Sequence, residues 1–188
     1  SPLSTFTGQD FYKQIFKEGT TLEWDRLLKS VRERAYLVSG LYFHLNDERA
    51  DEPREYNLYF EGGIVSLIGK LNENRTSVHD PIFIQKKTEE VEAEIALQYW
   101  DGYSEHVESF VNVINTVDGG PHVTGFRLAL TRAINDYGKK VGAFKNEEDQ
   151  VLGEDTREGL TAIIAIRMAQ DRVQFEGQTK GKLGNAEI

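Results

Sequence analysis

From Val91 to Tyr99 the chain alternates: Val91, Ala93, Ile95, Leu97 and Tyr99 are apolar, while Glu92, Glu94 and Gln98 between them are polar. A period of two is what an extended strand shows when one face is covered and the other meets water. This stretch commits the chain to a sheet, and the remaining segments are read as what covers it. Leu160–Met168, rich in Ile and Ala, reads as a buried strand. Leu41, Phe43 and Leu45 alternate toward a strand, and Tyr56, Leu58 and Phe60 form its hairpin partner across the charged turn Asp47–Pro53. Ile82–Ile84 is a brief apolar strand. Asp101-Gly102 turns the chain into Val107–Ile114, which reads as a second hairpin with Val91–Tyr99.

Helical spacing occupies three places. From Thr20, residues Trp24, Leu27, Leu28, Val31, Ala35 and Val38 fall on one face, and Gly40 fits a helix-ending glycine. Ile64, Leu67, Ile68 and Leu71 mark a short helix after Gly62-Gly63. Beyond the breaker Asp118-Gly119-Gly120-Pro121, a long helix carries Val123, Phe126, Leu130, Ile134 and Tyr137 on one face. Lys145–Gly153 reads as loop or short helix, and residues 1–18 as a tail with scattered aromatics. The order implies an α/β fold, one sheet with helices mainly on one face.

Composition narrows the chemistry. The 188 residues suit one domain, and no apolar run approaches the about 20 residues of a membrane helix. With no Cys there is no thiolate nucleophile and no cysteine zinc site, and the His residues lack ligand spacing. A formal charge of −9 excludes a generally basic nucleic-acid binder, so any DNA contact is local. His122, at a helix start, fits capping or packing better than catalysis. Glu92, Glu94 and Glu105 fit a solvated hairpin face better than an acid–base pair. The glycines Gly62, Gly63, Gly119, Gly120 and Gly125 fit turns and close helix approach.

The stretch Gly177-Gln178-Thr179-Lys180-Gly181-Lys182-Leu183-Gly184 looks like a phosphate loop but fails the Walker pattern. Its first two glycines are separated by three residues instead of four, and Leu183 stands where a magnesium-binding hydroxyl belongs. Taken alone, it reads as a surface turn opening a short helix, with two solvated lysines.

Four stretches taken together resemble a known family. They are Phe60-Glu61-Gly62-Gly63-Ile64; Asp118-Gly119-Gly120 with His122-Val123-Thr124-Gly125-Phe126-Arg127 and Leu130-Thr131-Arg132; Gly153-Glu154-Asp155-Thr156-Arg157-Glu158-Gly159-Leu160; and Phe175-Glu176-Gly177-Gln178-Thr179-Lys180. In this order they resemble the B-type ATPase subunits of type IIA DNA topoisomerases, bacterial gyrase and topoisomerase IV. The third stretch is closer to the gyrase form. The resemblance implies a transducer domain over residues 19–188, with residues 1–18 a linker to, or remnant of, a preceding GHKL ATPase domain whose own motifs are absent here. It implies a left-handed βαβ crossover. It also implies that Lys180 meets the terminal phosphate of ATP in the neighbouring domain, with Gln178 as its partner in sensing it. Arg127 is either a DNA contact in the cavity between two subunits or an ordinary solvated helix charge. Asp155, Arg157 and Glu158 read as a capped helical turn, or as a contact with the missing ATPase domain.

For the full-length protein the resemblance implies an ATP-dependent topoisomerase of the cytoplasm. ATP and Mg2+ would be held mainly by the GHKL domain, and the partners would be DNA, the gyrase A-type subunit and a second copy of the B-type chain. The fragment alone is expected to lack ATPase activity. A self-contained nucleotide enzyme built on residues 177–184 and a non-enzymatic module of the same fold are the competing readings.

Overall fold

A computed structural model describes residues 23–49, 52–144, 146 and 149–188. The expectations for residues 1–18, for the first turn of the helix from Thr20 and for part of Lys145–Gly153 lie outside these. The described elements are α1 (Trp24–Leu37), β1 (Phe43–Asp47), β2 (Arg54–Leu58), α2 (Gly63–Leu71), β3 (Ile82–Lys87), β4 (Val91–Tyr99), β5 (His106–Val111), β6 (Ile114–Asn115), α3 (Pro121–Lys140), a 3-10 turn (Asp155–Arg157), β7 (Leu160–Met168), β8 (Phe175–Glu176) and β9 (Lys182–Leu183).

The main sheet has five strands in the order β3-β4-β7-β5-β6. β7 is its centre, antiparallel to β4 and parallel to β5. Leu160, Ala162 and Ile163 are fully buried and Ile164 is 1% exposed. An uninterrupted apolar strand is what a position covered on both faces requires. Alternate residues feed two cores. Ile163 and Ala165, with Ala96 and Phe110, pack under α1 and α2 through Tyr36, Leu37, Ile64 and Ile68. Ala162, Ile164 and Ile166, with Leu97 and Val111, pack against Val123 and Phe126 of α3 and against Leu183.

Two expectations are corrected here. The sheet is not single, because β1–β2 and β8–β9 form separate two-stranded units beside it. Nor do the helices gather on one face: α1 and α2 cover one side and α3, the longest, covers the other. The second correction concerns the expected hairpin of Val91–Tyr99 with Val107–Ile114. It does not form: β7 lies between β4 and β5, and the short hairpin on β5 is made by β6. The β1–β2 hairpin is present, Phe43 opposite Leu58.

Local packing departs from periodicity at the helix ends. In α1 only Ala35, Tyr36 and Leu37 are buried, and Leu27 is 38% exposed. The Tyr36 ring stacks on Phe60 with centroids 3.7 Å apart. Gly40 does not cap the helix; it has φ +78° in the turn that follows, where Leu41 N–H donates to Val38 O. In α3 the buried side chains His122, Val123 and Phe126 lie in the first two turns; near the other end only Gly138 is buried, and Tyr137 is 65% exposed. Gly125 approaches nothing: a Cβ there would meet no atom within 4 Å. β3 is an exposed edge strand.

A buried polar seam fixes α2 to the sheet. Asn72 donates to Gln98 Oε1 at 2.8 Å and accepts from Thr161 Oγ1 at 2.8 Å. Arg75 donates to Thr161 Oγ1 at 3.0 Å and lies over the Trp100 ring. These buried polar atoms find partners in one another, which is what makes their burial tolerable.

Candidate functional site

The Gly177–Gly184 stretch forms the end of the β8–β9 hairpin, Phe175 opposite Leu183 and Glu176 opposite Lys182. It opens no helix, so it lacks the helix N-terminus on which a Walker loop is built. The chain enters β9 at Lys182 and is not helical from there to Ile188. Two left-handed residues make the bend, Gly177 at φ +77° and Lys180 at φ +56°. Lys180 N–H donates to Gly177 O. Gln178, Thr179 and Lys180 are all exposed at the tip.

The base of the hairpin is held. Asp118 N–H donates to Gly181 O at 2.8 Å and Leu183 N–H to Gly119 O at 3.0 Å. Leu183 is fully buried in the α3-side core. Only glycine fits opposite it, since a Cβ on Gly120 would lie 2.7 Å from Leu183 O. Asn185, 1% exposed, closes the far side: its amide donates to Arg172 O at 2.9 Å and its carbonyl accepts from Gln174 N–H at 2.7 Å. A rigid base carrying an exposed tip is the arrangement that lets a loop reach outward while its origin stays fixed. At the tip the Lys180 ammonium lies 5.8 Å from the Phe175 ring centroid. Lys182 pairs with Glu176 at 3.1 Å.

Arg127 lies on α3 and is neither free nor simply solvated. Its guanidinium makes a two-pronged contact with Glu105, Nε to Oε1 at 2.9 Å and Nη2 to Oε2 at 2.8 Å. An open groove of about 740 Å³ joins the two regions: Arg127, Asp118, Gly120 and Thr124 line it together with Glu176 and Lys182 at the hairpin base. Lys180 and Arg127 belong to separate motifs in the sequence, and the fold sets them on elements that border one groove. Lys180 itself is not among the groove's lining residues.

His122 is a packing residue. It is 5% exposed, with Nε2 3.2 Å from Thr116 Oγ1. The Thr116 hydroxyl donates to Ser109 O at 2.9 Å, so its oxygen is left to accept from Nε2–H. Nδ1 is buried without a partner among the described residues. A proton there would have nothing to receive it, and burial lowers the pKa to about 4.

Glu92 and Glu94 correct the expected solvated face. They point to the side covered by α1, and Arg167 pairs with Glu94 at 2.9 Å while its Nη2 donates to Leu37 O at 2.8 Å. The alternation along the strand holds, but the face carrying charge is one that α1 and α2 cover. The Gly153–Leu160 stretch forms the anticipated helical turn at Asp155–Arg157, but Glu154 at its N-cap makes no side-chain capping bond. Asp155 accepts from Leu152 N–H at 2.8 Å, and Thr156 is buried, its hydroxyl 3.0 Å from Thr131 of α3. Tyr99 donates to Thr156 O at 2.6 Å.

Sequence reasoning missed Phe175, Asn185 and the role of Glu105. Phe175 alone had a local signal, an apolar residue beside the glycine-bounded turn. Among the described residues no cluster of three or more His, Cys, Asp or Glu is placed to hold a metal. No helix there is long and apolar enough to cross a membrane.

Residues 63–188 match the family model described as DNA gyrase B. The gyrase B protein of Staphylococcus epidermidis is 46% identical over 177 residues, 94% of this chain and 27% of that protein. Its counterpart from Staphylococcus aureus is also 46% identical, over 93% of this chain and 27% of the other. This chain therefore spans about a quarter of the length of these relatives. Among solved structures, the 43K ATPase domain of Thermus thermophilus gyrase B, in complex with an aminocoumarin, is similar with a TM-score of 0.77 and 33% identity. That match covers 88% of this chain and 44% of the other. The gyrase B structure from Myxococcus xanthus matches with a TM-score of 0.71 and 26% identity, over 87% of this chain and 50% of that one.

Proposed function

Because this chain belongs to the DNA gyrase B family, we propose that it is the transducer of an ATP-dependent type IIA topoisomerase, and that its β8–β9 tip completes an ATP site built elsewhere in the protein. Lys180 meets the terminal phosphate and Gln178 senses it alongside. The observation that carries this reading is the anchored hairpin: a base tied to Asp118, Gly119 and the core through Leu183, and a tip holding one lysine in solvent. An ammonium is a compact point charge suited to a phosphate oxygen. It stabilises most where negative charge grows during phosphoryl transfer.

The same base explains relay. Displacement of the tip is felt at Gly119–Gly120, which start α3, and α3 leads through the Asp155–Arg157 turn into β7 at the sheet's centre. A contact made only with the triphosphate favours one domain orientation over another. Closure of two gyrase B chains on ATP is passed along this path to the DNA gate, where the A-type subunit acts. Arg127 supplies a DNA phosphate contact from the groove wall. ATP and Mg2+ are held mainly by a GHKL domain preceding residue 19, with residues 1–18 as the link. The parallel β5 and β7, joined through α3, carry the left-handed crossover of this fold, against the general rule. The protein works in the cytoplasm.

The test is Lys180→Ala in the full-length protein. Hydrolysis is expected to fall by about two orders of magnitude or more, the scale of losing one transition-state electrostatic contact. Unfolding should not change, because the side chain is exposed. Turnover near that of the unaltered protein would remove the phosphate role of the hairpin.

A further inference from the structure

The following rests on the reading of Lys180 as the phosphate sensor, and concerns where the sensor sits when no phosphate is present. Glu176, the one acid between Phe175 and Leu183, is engaged by Lys182 at 3.1 Å. The Lys180 ammonium instead stands 5.8 Å from the Phe175 ring centroid, inside the about 6 Å at which a cation is attracted to a ring face. Lys180 adopts a left-handed backbone, φ +56°, which long side chains rarely do. The ring itself is fixed: Phe175 is half-buried against the α3-side core and pairs with the fully buried Leu183.

We propose that Phe175 is the resting seat of the Lys180 ammonium, a positioning residue that holds the sensor back until a terminal phosphate draws it away. A ring quadrupole is a weak partner and a phosphate dianion a strong one, so the triphosphate wins the exchange. A diphosphate offers nothing at that place and leaves the lysine seated. A contact present only in the unengaged state reduces the population ready to bind, and its removal tightens binding by the same factor.

The experiment uses the full-length protein, a non-hydrolysable ATP analogue and ADP, each titrated by calorimetry, with DNA-free hydrolysis alongside. Phe175→Leu is expected to bind the analogue about 2–5-fold more tightly, the strength of one exposed cation–ring contact. Hydrolysis should rise by a similar factor, and ADP affinity should stay unchanged. Phe175→Tyr, which keeps a ring face, should behave as the unaltered protein. In a Lys180→Ala background, Phe175→Leu should change nothing, since the partner is gone. Phe175→Met replaces the Leu variant if the latter melts early. Unchanged or weaker analogue binding in the ringless variants overturns the seat, and so does an equal shift for the analogue and ADP. The two proposals fail differently. An active Lys180→Ala protein removes the sensor and the seat together, whereas an inactive one beside an unaltered Phe175→Leu protein removes the seat alone.

Discussion

His122 shows how one side chain can be placed correctly by sequence and still carry more information in the structure. Its position after a Gly-Gly-Pro breaker suggests packing, and the fold buries it against Thr116. Its pKa is lowered from 6.5 to about 4 by burial. The folded state therefore favours the neutral ring, while the unfolded chain takes a proton near 6.5. The stabilisation is whole above that pH and is lost as pH falls toward 4. Between pH 8 and pH 5 the chain should lose about 1–2 kcal/mol more stability than its His122→Gln variant. Denaturant unfolding of both at the two pH values measures this, and parallel losses would show that His122 does not titrate on unfolding. The sequence could not disclose the ring's surroundings, because Thr116 reaches Nε2 only once the β5–β6 hairpin forms and Ser109 holds it there.

At the scale of elements, the strands and helices are largely legible in the sequence and their neighbours are not. Val91–Tyr99 and Leu160–Met168 appear with the bounds their patterns give. The pairing is what differs. A short link at Asp101-Gly102 suggests that β4 and β5 are adjacent, but β7 returns from beyond α3 to lie between them. Period and turn residues are local signals, whereas strand order depends on which apolar faces meet across the chain. Gly159 marks where this insertion is tightest. It has φ +68°, and a Cβ there would lie 2.4 Å from Trp100 O and 2.7 Å from Gly102 O. Gly159→Ala is expected to destabilise by about 2 kcal/mol or more, from left-handed strain and the forced separation of β4 from β7. Gly125 is the opposite case, an open position inside α3. Gly125→Ala should stabilise by about 0.5–1 kcal/mol through the ordinary helix preference. Unfolding midpoints that move in the same direction for both would mean the local backbone does not control these sites.

For the whole molecule the governing fact is charge. A chain at −9 repels DNA at long range, so the DNA contact we propose has to rest on a few placed cations. Arg127 is the one we propose, and to serve it would have to give up its paired contact with Glu105. Their side chains are 38% and 24% exposed. Ion pairs in such settings contribute about 0–1 kcal/mol, so exchange of a carboxylate for a DNA phosphate costs little. The guanidinium keeps its two-pronged geometry in either partnership. Arg127→Gln in the full-length protein should therefore leave DNA-free hydrolysis intact while the DNA-stimulated part falls. The salt dependence of DNA binding should weaken by about one phosphate contact, a change of roughly 0.9 in the log–log slope. Measuring stimulation across a salt series separates this from a packing defect, which would lower both activities and leave the slope unchanged. Unaltered stimulation in Arg127→Gln would return Arg127 to a structural ion pair and leave the Lys180 proposal to stand or fall by itself.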